Sequence, residues 1–568
     1  MLLFSMERGI LKINPNKKIF LKKIIIVYLA LLFLSSCANS SDQPFGIATR
    51  HHLATDIGMN ILLEGGNAVD AAVAVSFALA VVNPSAGNLG GGGFMLIHLS
   101  EIGETIALDY RERAPIKSFE KMFLDKNEKV IKGLSLNSTL ASGVPGTVSG
   151  MFYASKKFGS MNIEKLIYPS IEIARNGFNL SEFQAKNLNK YRGKFLKSIE
   201  AKQIFTKPKG FEEGDVLIQK NLANTLERIS KNGEQEFYSG ETAKKISEFF
   251  KENNGILSLE DLKQYKLRVL DPICKNYRTI KICSMPPPSS GGVALIQMLN
   301  ILENIEINNL GHNSEKYLKL LVSAMDFAYH DRAKFLGDPD FYDVPEELLT
   351  SKEYAKKIFK KIQKGEKPPK IEVAISESEE TTHFSIIDKW GNVVSNTYTL
   401  NTAYGSGIVP TGTGILMNNE MDDFSSKPGF PNAYGLVGSE ANKIEPKKTP
   451  LSSMTPVIIF KQGRPFLVSG SPGGSTIITS VLQEVLNVID FNMSLKESSS
   501  KSRIHFQHLP DILFHEELDK DVLASLKENK KLISRKLGEI HSILLKGDNI
   551  EAFSDKRRPD GKASTFQK

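Results

Sequence analysis

The sequence predicts a protein of mixed helix and strand, in the α/β or α+β class. Residues 67–82 are apolar almost throughout, residues 150–365 repeat apolar side chains at helical spacing, and the segment from Thr381 onward is rich in strands. The chain has 568 residues, of which 41% are hydrophobic and three are cysteines. This composition is typical of a globular protein, and it excludes a disordered, collagen-like or coiled-coil chain as well as a cysteine-rich scaffold.

The first 36 residues predict an export signal. Lys22 and Lys23 precede the apolar residues 24–34, a run too short to span a bilayer as a helix but suited to the core of a signal peptide. Ser35 and Ser36 before Cys37 resemble a bacterial lipobox, in which the cysteine is lipidated and becomes the new N-terminus. We therefore expect an exported mature chain, residues 37–568, that is periplasmic or tethered to a membrane through Cys37. A plain signal peptide or short anchor with an incidental cysteine is the alternative.

The basic charge of the chain belongs largely to this signal. The formal net charge is +8, and residues 1–36 contribute +5 of it. The remaining charge of about +3 is too small to indicate a nucleic-acid partner.

The first predicted element of the mature chain is a buried helix over residues 67–82. Asn67 is a candidate N-cap with Asp70 three residues later, and the helix has almost no polar face, so it should lie in a large core. Pro84 ends this pattern, and the glycines at 90–93 lead into a strand at 94–99. Because these glycines precede a strand and no Gly-Lys-Ser/Thr follows, they do not predict a nucleotide site.

The middle of the chain, residues 150–365, predicts mostly amphipathic helices. Ser258 begins one of them with a capping-box pattern, and the proline-rich residues 285–292 predict a rigid turn before another. Residues 274–283 predict a hairpin. If its turn has two residues, Cys274 faces Cys283 in the closer type of antiparallel pair, and export would permit a disulfide. Its Arg-Thr turn is a poor one for a hairpin, so unpaired thiols remain the alternative.

Residues 352–380 predict a charged, exposed linker, and a hairpin follows it. Two strands, residues 381–388 and 393–400, flank a three-residue turn with Gly391 at the position that needs a positive φ. If Asp388 faces Asn392, Thr381 faces Thr399, so two threonine hydroxyls meet at the open end of the hairpin. Threonine is also a good strand residue, and the hairpin alone favours that simpler interpretation.

Several motifs together resemble the gamma-glutamyltransferase family. They follow the family's order, and as a set they are highly specific although each alone is weak. The resemblance covers roughly residues 44–560. The motifs are residues 88–95 (NLGGGGFM), 108–115 (LDYRERAP), 141–147 (ASGVPGT), 381–388 (TTHFSIID), 397–401 (TYTLN), 418–424 (NNEMDDF), 450–454 (PLSSM) and 470–475 (GSPGGS).

The resemblance implies a precursor that cuts itself before a threonine. In this chain the scissile bond joins Glu380 to Thr381, and cleavage leaves a large subunit, residues 37–380, and a small catalytic subunit, residues 381–568. The family fold is the four-layer αββα sandwich of N-terminal-nucleophile hydrolases, in which the two subunits form one interwoven heterodimer.

The implied catalytic residues have a clear physical logic. A threonine hydroxyl is a weak nucleophile, and the freed α-amine of Thr381 can serve as its base, since such amines have a pKa of roughly 7.7–8.0. Thr399 would orient or polarise the attacking oxygen. Gly473 and Gly474 precede a helix predicted from about 475 to 490, and their N–H groups suit an oxyanion hole. His383 stands beside a nucleophile that carries its own base, so we expect a structural role for it.

The resemblance also implies a pocket for a zwitterionic glutamyl head. The residues assigned to it are Arg111, Ser452 and Ser453 for the α-carboxylate, Asn401, Glu420 and Asp423 for the α-ammonium, and Tyr434 as a lid. Two alternatives stay open. Arg111 in a structural ion pair with Asp109 or Glu112 is one, and Tyr434 as a surface-loop aromatic is the other.

The resulting expectation is an enzyme that cleaves the gamma-glutamyl amide of glutathione and related compounds. The glutamyl group would pass through a threonine ester to water or to an amino acid or peptide. No metal or organic cofactor is expected, because no cluster of ligand residues accompanies the reacting ones. An acylase for glutaryl side chains is one alternative, and Asp423 and Glu420 argue against it. The other alternative, a catalytically silent surface lipoprotein that binds peptides, would be expected to lack Thr381 or the Gly473–Gly474 pair.

Overall fold

The computed structural model describes residues 43–369, 381–527 and 530–567. The predicted signal, Cys37, Glu380 and the acidic end of the predicted linker lie outside these ranges. The helices and strands below belong to the unit Pro44–Lys568. Within the described ranges, no helix combines the length and the apolar character needed to cross a membrane.

The strands form two large sheets and two small ones. In chain order they are β1 (Phe45–Thr49), β2 (Gly92–Leu99), β3 (Glu104–Asp109), β4 (Phe178–Asn179), β5 (Val216–Leu217), β6 (Arg268–Leu270), β7 (Ile273–Tyr277), β8 (Ile280–Ser284), β9 (Thr382–Ile387), β10 (Val393–Thr399), β11 (Val457–Lys461), β12 (Arg464–Ser469), β13 (Ile504–His505), β14 (Ile512–His515), β15 (Lys531–Ser534), β16 (His541–Lys546), β17 (Asn549–Ser554) and β18 (Lys562–Phe566).

The large sheets contain strands from both sides of Thr381. The seven-stranded sheet has the order β18-β1-β9-β10-β2-β3-β6, and the six-stranded sheet has the order β17-β16-β12-β11-β8-β7. The pairs in both sheets are antiparallel. The two predicted subunits therefore interweave in each sheet. The small sheets are β13-β14-β15 and β4-β5.

The α-helices lie mainly between residues 52 and 363, and those after residue 150 were predicted from their amphipathic patterns. In chain order they are α1 (His52–Leu63), α2 (Ala68–Val82), α3 (Leu134–Asn137), α4 (Thr147–Phe158), α5 (Ile163–Asn176), α6 (Glu182–Lys190), α7 (Arg192–Phe195), α8 (Ile199–Phe205), α9 (Lys220–Asn232), α10 (Glu234–Tyr238), α11 (Glu241–Glu252), α12 (Leu259–Gln264), α13 (Gly291–Leu302), α14 (Glu315–Phe335), α15 (Glu346–Leu349), α16 (Lys352–Gln363), α17 (Ile477–Ile489), α18 (Leu495–Ser500) and α19 (Lys520–Leu526). The linker prediction is wrong for Lys352–Gln363, which form a helix because Ala355, Ile358 and Phe359 supply a buried apolar face.

Side-chain alternation along the strands defines the layers. In β2, Met95 and Ile97 pack in the core that the seven-stranded sheet shares with helix α2, whereas Phe94 and Leu96 pack with Ile458 of the six-stranded sheet. Helices α13, α14 and α17 share a further core with the outer face of the six-stranded sheet. The order helix, sheet, sheet, helix confirms the predicted four-layer αββα sandwich.

Local signals predicted helix α2 well. Asn67 and Asp70 form a reciprocal capping box, and every residue of α2 is buried. Ser258 caps α12 in the same way. Strand β2 begins at Gly92, two residues before the predicted start, because Gly92 and Gly93 pair with β10. A Cβ on Gly93 would lie 2.4 Å from that of Tyr398, so the close approach of the strands needs glycine there.

Both predicted hairpins have the predicted register. In the first, Cys274 pairs with Cys283, and the two side chains form a disulfide. Arg278 adopts a positive φ of 49° in its turn. In the second, Ile387 pairs with Val393 and Thr382 with Tyr398, with Gly391 at a φ of 83°.

One buried carboxyl in the helix layer has a strongly shifted pKa. Glu484 of α17 is 1% exposed, and its Oε2 accepts hydrogen bonds from the hydroxyls of Ser469 and Ser542, the second at 2.9 Å. Burial raises its pKa from 4.5 to about 7 although both serines lower it. The folded protein therefore holds this proton more tightly than the unfolded chain does. The resulting stability is fully present below pH 4.5 and is lost as the pH rises through about 7.

We predict that Glu484→Gln removes this pH dependence, because glutamine resembles the protonated carboxyl. Melting temperatures of wild type and variant should be similar near pH 5. Near pH 8 the variant should be the more stable, by up to about 3 kcal/mol at 1.36 kcal/mol per unit of pKa. Glu248→Gln on the exposed face of α11 is the control and should leave the profile unchanged. A wild-type-like profile for Glu484→Gln contradicts the assignment.

Candidate active site

The hairpin of β9 and β10 brings the two predicted threonines together at its open end. Thr381 directly precedes β9 and Thr399 ends β10, and their Oγ1 atoms are 3.5 Å apart. Ser385 in β9 faces the six-stranded sheet, since its hydroxyl donates to the carbonyl of His541 at 2.8 Å. Thr381 is an even number of residues away and shares that face. The register therefore directs both hydroxyls into the space between the sheets.

Backbone contacts hold both threonines in place. The N–H of Asn401 donates to Thr399 Oγ1 at 2.9 Å. The carbonyl oxygen of Thr381 accepts a hydrogen bond of 2.6 Å from the guanidinium of Arg50, a side chain that is 4% exposed. Sequence reasoning did not identify Arg50, because nothing in its local pattern separates it from an ordinary surface arginine.

A small pocket opens beside Thr381, and ten of the eleven predicted catalytic and binding residues line it. The lining residues are Arg111, Thr381, Thr399, Asn401, Glu420, Asp423, Tyr434, Leu436, Ser452, Ser453, Met454, Gly474 and Ile477. The apolar members Leu436, Met454 and Ile477 were not predicted.

The glycine turn differs in detail from the prediction. Gly474–Thr476 form a 3-10 turn, so the α-helix begins at Ile477 rather than near 475. Gly473, which was predicted to be catalytic, does not line the pocket and lies close to Gly538 instead. Gly473 and Gly474 have φ values of 133° and 57°, which favour glycine. Within the described ranges neither of their N–H groups donates a hydrogen bond.

Tyr434 is a buried wall of the pocket, so the alternative of a surface aromatic is wrong. Its side chain is 6% exposed, and its hydroxyl donates to the carbonyl of Asn401. A Cβ on Gly474 would lie 2.3 Å from the ring, so the ring covers the glycine turn directly. The carbonyl of Tyr434 accepts from the amide of Gln507 at 3.0 Å, which anchors the loop.

Arg111 pairs with the carboxylates that the sequence assigned to the opposite end of the substrate. Its guanidinium is 1% exposed and contacts Glu420, Asp423 at 2.6 Å and Glu112 at 3.7 Å. Burial would lower the pKa of Arg111, but Glu420 and then Asp423 raise it above its ordinary value. Burial raises the pKa of Glu420, and it raises that of Glu112 to about 7.

The alternative partner Asp109 is engaged elsewhere. Its carboxylate accepts the backbone N–H of Arg111 at 2.9 Å and pairs with Arg268 at 2.8 Å. The ion pair of Arg111 with Glu112 is present but is the longest of the three. The sequence left two interpretations of Arg111 open, a structural ion pair and a substrate-binding role. The structure shows the ion pair with Glu112 and also places Arg111 in the pocket.

Several polar atoms of the pocket have hydrogen-bonding capacity that the described protein groups do not use. Among the described residues, Asn401 Oδ1 is a buried acceptor without a donor. The hydroxyl of Ser452 accepts the N–H of Met454 at 3.1 Å. The hydroxyl of Ser453 accepts a guanidinium N–H of Arg332 at 3.2 Å. The pocket therefore has an acceptor suited to a cation and hydroxyls suited to an anion.

Arg332 was missed from the sequence. It lies in α14 directly after Asp331, and an Asp-Arg sequence in a helix is typical of an ordinary charged surface. Only the packing of α14 against α13 brings its guanidinium, 5% exposed, within hydrogen-bond distance of Ser453 in the 450–454 motif.

His383 has the structural hydrogen bonds expected of it. The ring is fully buried outside the pocket, with Nδ1 2.8 Å from Thr397 Oγ1 and Nε2 3.1 Å from Ser385 Oγ. Burial, and then His541, hold its pKa well below the ordinary value. In the part of the chain that the structure describes, no group of three or more His, Cys, Asp or Glu side chains suits a metal ion.

Solved structures resemble this fold. The cephalosporin acylase from Bacillus halodurans superposes with a TM-score of 0.79 at 24% identity, over 92% of this chain and 96% of that chain. The Helicobacter pylori gamma-glutamyltranspeptidase superposes with a TM-score of 0.54 at 48% identity, over 55% of this chain and 90% of that chain.

Sequence relatives extend over nearly the whole chain. Proteins named Glutathione hydrolase proenzyme are 47% identical over 525 residues in Escherichia coli (strain K12), with 90% of each chain covered, and 39% identical over 506 residues in Bacillus subtilis (strain 168), with 84% of each chain covered. The family model described as Gamma-glutamyltranspeptidase matches residues 54–565. With this match and these identities, the chain belongs to the gamma-glutamyltranspeptidase family.

Proposed function

We propose that the chain is a self-processing gamma-glutamyltransferase that cleaves the gamma-glutamyl amide of glutathione and related compounds. The observation that carries the proposal is the pairing of the Thr381 and Thr399 hydroxyls at 3.5 Å, in one pocket with buried groups of both charges. Membership of the family and the names of its relatives support the same substrate class.

The precursor cuts itself between Glu380 and Thr381. The Thr381 hydroxyl adds to the carbonyl carbon of Glu380, the peptide C–N bond breaks, and water then hydrolyses the ester. The products are a large subunit, residues 37–380, and a small subunit, residues 381–568. One solved chain of the Helicobacter pylori enzyme is covered over 90% of its length but matches only 55% of this chain. A shorter separate chain of this kind supports a division of the precursor into two subunits.

The freed amine of Thr381 then serves the transfer reaction. It takes the hydroxyl proton as Oγ1 attacks the γ-carbonyl, and it returns the proton to the amine that leaves. The N–H groups at the glycine turn stabilise the oxyanion, and Gly474, which lines the pocket, is the nearer of the two. Water or the amine of an amino acid or peptide releases the threonine ester by the same steps in reverse.

A zwitterionic head matches the charges of the pocket. In the unliganded protein Arg111 and Asp423 pair with each other at 2.6 Å. When the substrate binds, its α-carboxylate pairs with Arg111 and its α-ammonium pairs with Asp423. These two ion pairs replace the one between Arg111 and Asp423, so neither buried charge is left unpaired. The unpartnered Asn401 Oδ1 accepts a further ammonium hydrogen. A glutaryl head has no ammonium and leaves this acceptor unsatisfied.

We predict that Thr381→Ala gives one uncut polypeptide without activity. Thr382→Val is the matched control, because Thr382 is the adjacent residue and its buried hydroxyl has no hydrogen-bond partner among the described residues. That variant should cut normally. A denaturing gel with N-terminal sequencing gives the result, and two subunits of normal size from Thr381→Ala would exclude Thr381 as the nucleophile.

We predict that Asp423→Asn lowers kcat/KM for a γ-glutamyl anilide by roughly 10- to 150-fold, the effect of losing a charge-assisted hydrogen bond. Activity on a glutaryl anilide should be spared or raised, because that substrate has no ammonium. Self-cleavage should persist and serves as the control for folding. Equal loss on both anilides in fully cleaved protein would make Asp423 a structural or catalytic residue instead.

We also propose that the protein is exported and anchored through a lipid on Cys37, in the periplasm or on a membrane. The lipobox-like residues before Cys37 support this, and so does the Cys274–Cys283 disulfide, which is typical of oxidising compartments.

We predict that Cys37→Ser moves the protein from the membrane fraction to the soluble fraction without changing its activity. Cell fractionation followed by immunoblotting measures the distribution. Retention of Cys37→Ser in the membrane, at the level of wild type, contradicts a lipid anchor at this residue.

A further inference from the structure

Arg332 is a buried cation without a carboxylate partner. It lies in α14, and its guanidinium donates to two neutral hydroxyls, Ser290 at 2.9 Å through Nε and Ser453 at 3.2 Å. Across the described ranges it forms no ion pair. Arg111, by contrast, contacts three carboxylates. The buried cation that lacks an ion pair therefore lies beside Ser453.

The donor-only chemistry of arginine fixes the direction of the hydrogen bonds. A guanidinium has no acceptor, so Ser453 Oγ must accept, and its single hydrogen is left to donate elsewhere. Ser452 Oγ accepts the N–H of Met454 at 3.1 Å, so the hydroxyl hydrogen of Ser452 can also donate to a ligand. Both serines line the pocket. Two O–H donors side by side suit a carboxylate.

Ser290 connects Arg332 to the same loop. Its hydroxyl accepts from Arg332 Nε and donates to the carbonyl of Ser452 at 2.6 Å. The backbone N–H of Ser290 also donates to that carbonyl, at 2.8 Å. Arg332 is thus bonded directly to one pocket serine and, through Ser290, to the other. Burial lowers the pKa of Arg332 to about 10, so the side chain remains charged at neutral pH.

We propose that Arg332 is a positioning residue that sets Ser453 as a hydrogen-bond donor and makes the pocket selective for a donor substrate with a free α-carboxylate. The proposal rests on the proposed function, in which Ser452 and Ser453 bind that carboxylate. Arg332 acts through them and through its charge. The incoming carboxylate binds Arg111 and the two serines, and its negative charge also favours the buried guanidinium of Arg332, which has no ion pair among the described residues.

The test compares a γ-glutamyl anilide with the analogue in which the α-carboxylate is a carboxamide. Arg332→Gln should raise KM for the γ-glutamyl anilide about 10- to 100-fold, the range for losing a charged hydrogen-bond donor, with kcat changed only a few-fold. KM for the carboxamide should change little, so discrimination between the two substrates narrows. Arg332→Lys keeps a charged donor and should restore part of the discrimination.

Arg503→Gln is the matched control, since Arg503 is equally buried but pairs with Asp555 away from the pocket. It should leave the ratio between the two substrates unchanged. If Arg332→Gln does not fold, Ser290→Ala tests the same connection with a smaller change, and it should raise KM for the carboxylate substrate alone. Equal loss on both substrates, or a loss in kcat with KM unchanged, overturns the proposal. Inactivity of correctly cleaved wild type on the γ-glutamyl anilide would instead refute the proposed function.

Discussion

The antiparallel register of β9 and β10 is the constraint on which the site depends. Side chains alternate across a strand, so a slip of one residue would turn Thr381 toward the helix layer and away from the pocket. Packing on both faces prevents this slip, because Phe384 and Ile386 fill the helix-side core while Ile387 packs between the sheets. Asp388 closes the turn by accepting the N–H groups of residues 390 and 392. The apolar packing thus positions two hydroxyls at the opposite end.

Charge burial governs the rest of the pocket. Removing a charge from water is costly unless an opposite charge or hydrogen bonds replace the solvent. The pocket meets this requirement in two ways, since Arg111 is surrounded by carboxylates and Arg332 is held by hydroxyls. A ligand with both charges can be accommodated in such a site without leaving a protein charge exposed to an apolar wall.

The interwoven sheets explain how a chain could be cut at its nucleophile and stay folded. Strands from before and after Thr381 are neighbours in both large sheets, as β1 is to β9 and β8 is to β11. Their hydrogen bonds and shared cores do not depend on the peptide bond that precedes Thr381. The three largest hydrophobic cores therefore each contain residues of both predicted subunits.

The sequence by itself determined the helix cap at Asn67 and both hairpin registers, because capping, turn chemistry and strand alternation act between near neighbours. Most of the site residues were identified from the resemblance of their motifs to those of the family, not from local patterns. The tertiary structure decided which groups meet across the fold. Arg111 contacts Asp423 across 312 residues, and Arg332 reaches Ser453 across 121. Only Gly474 of the glycine pair faces the pocket. These contacts depend on how the helix layers and sheets pack together, and no local pattern records that packing.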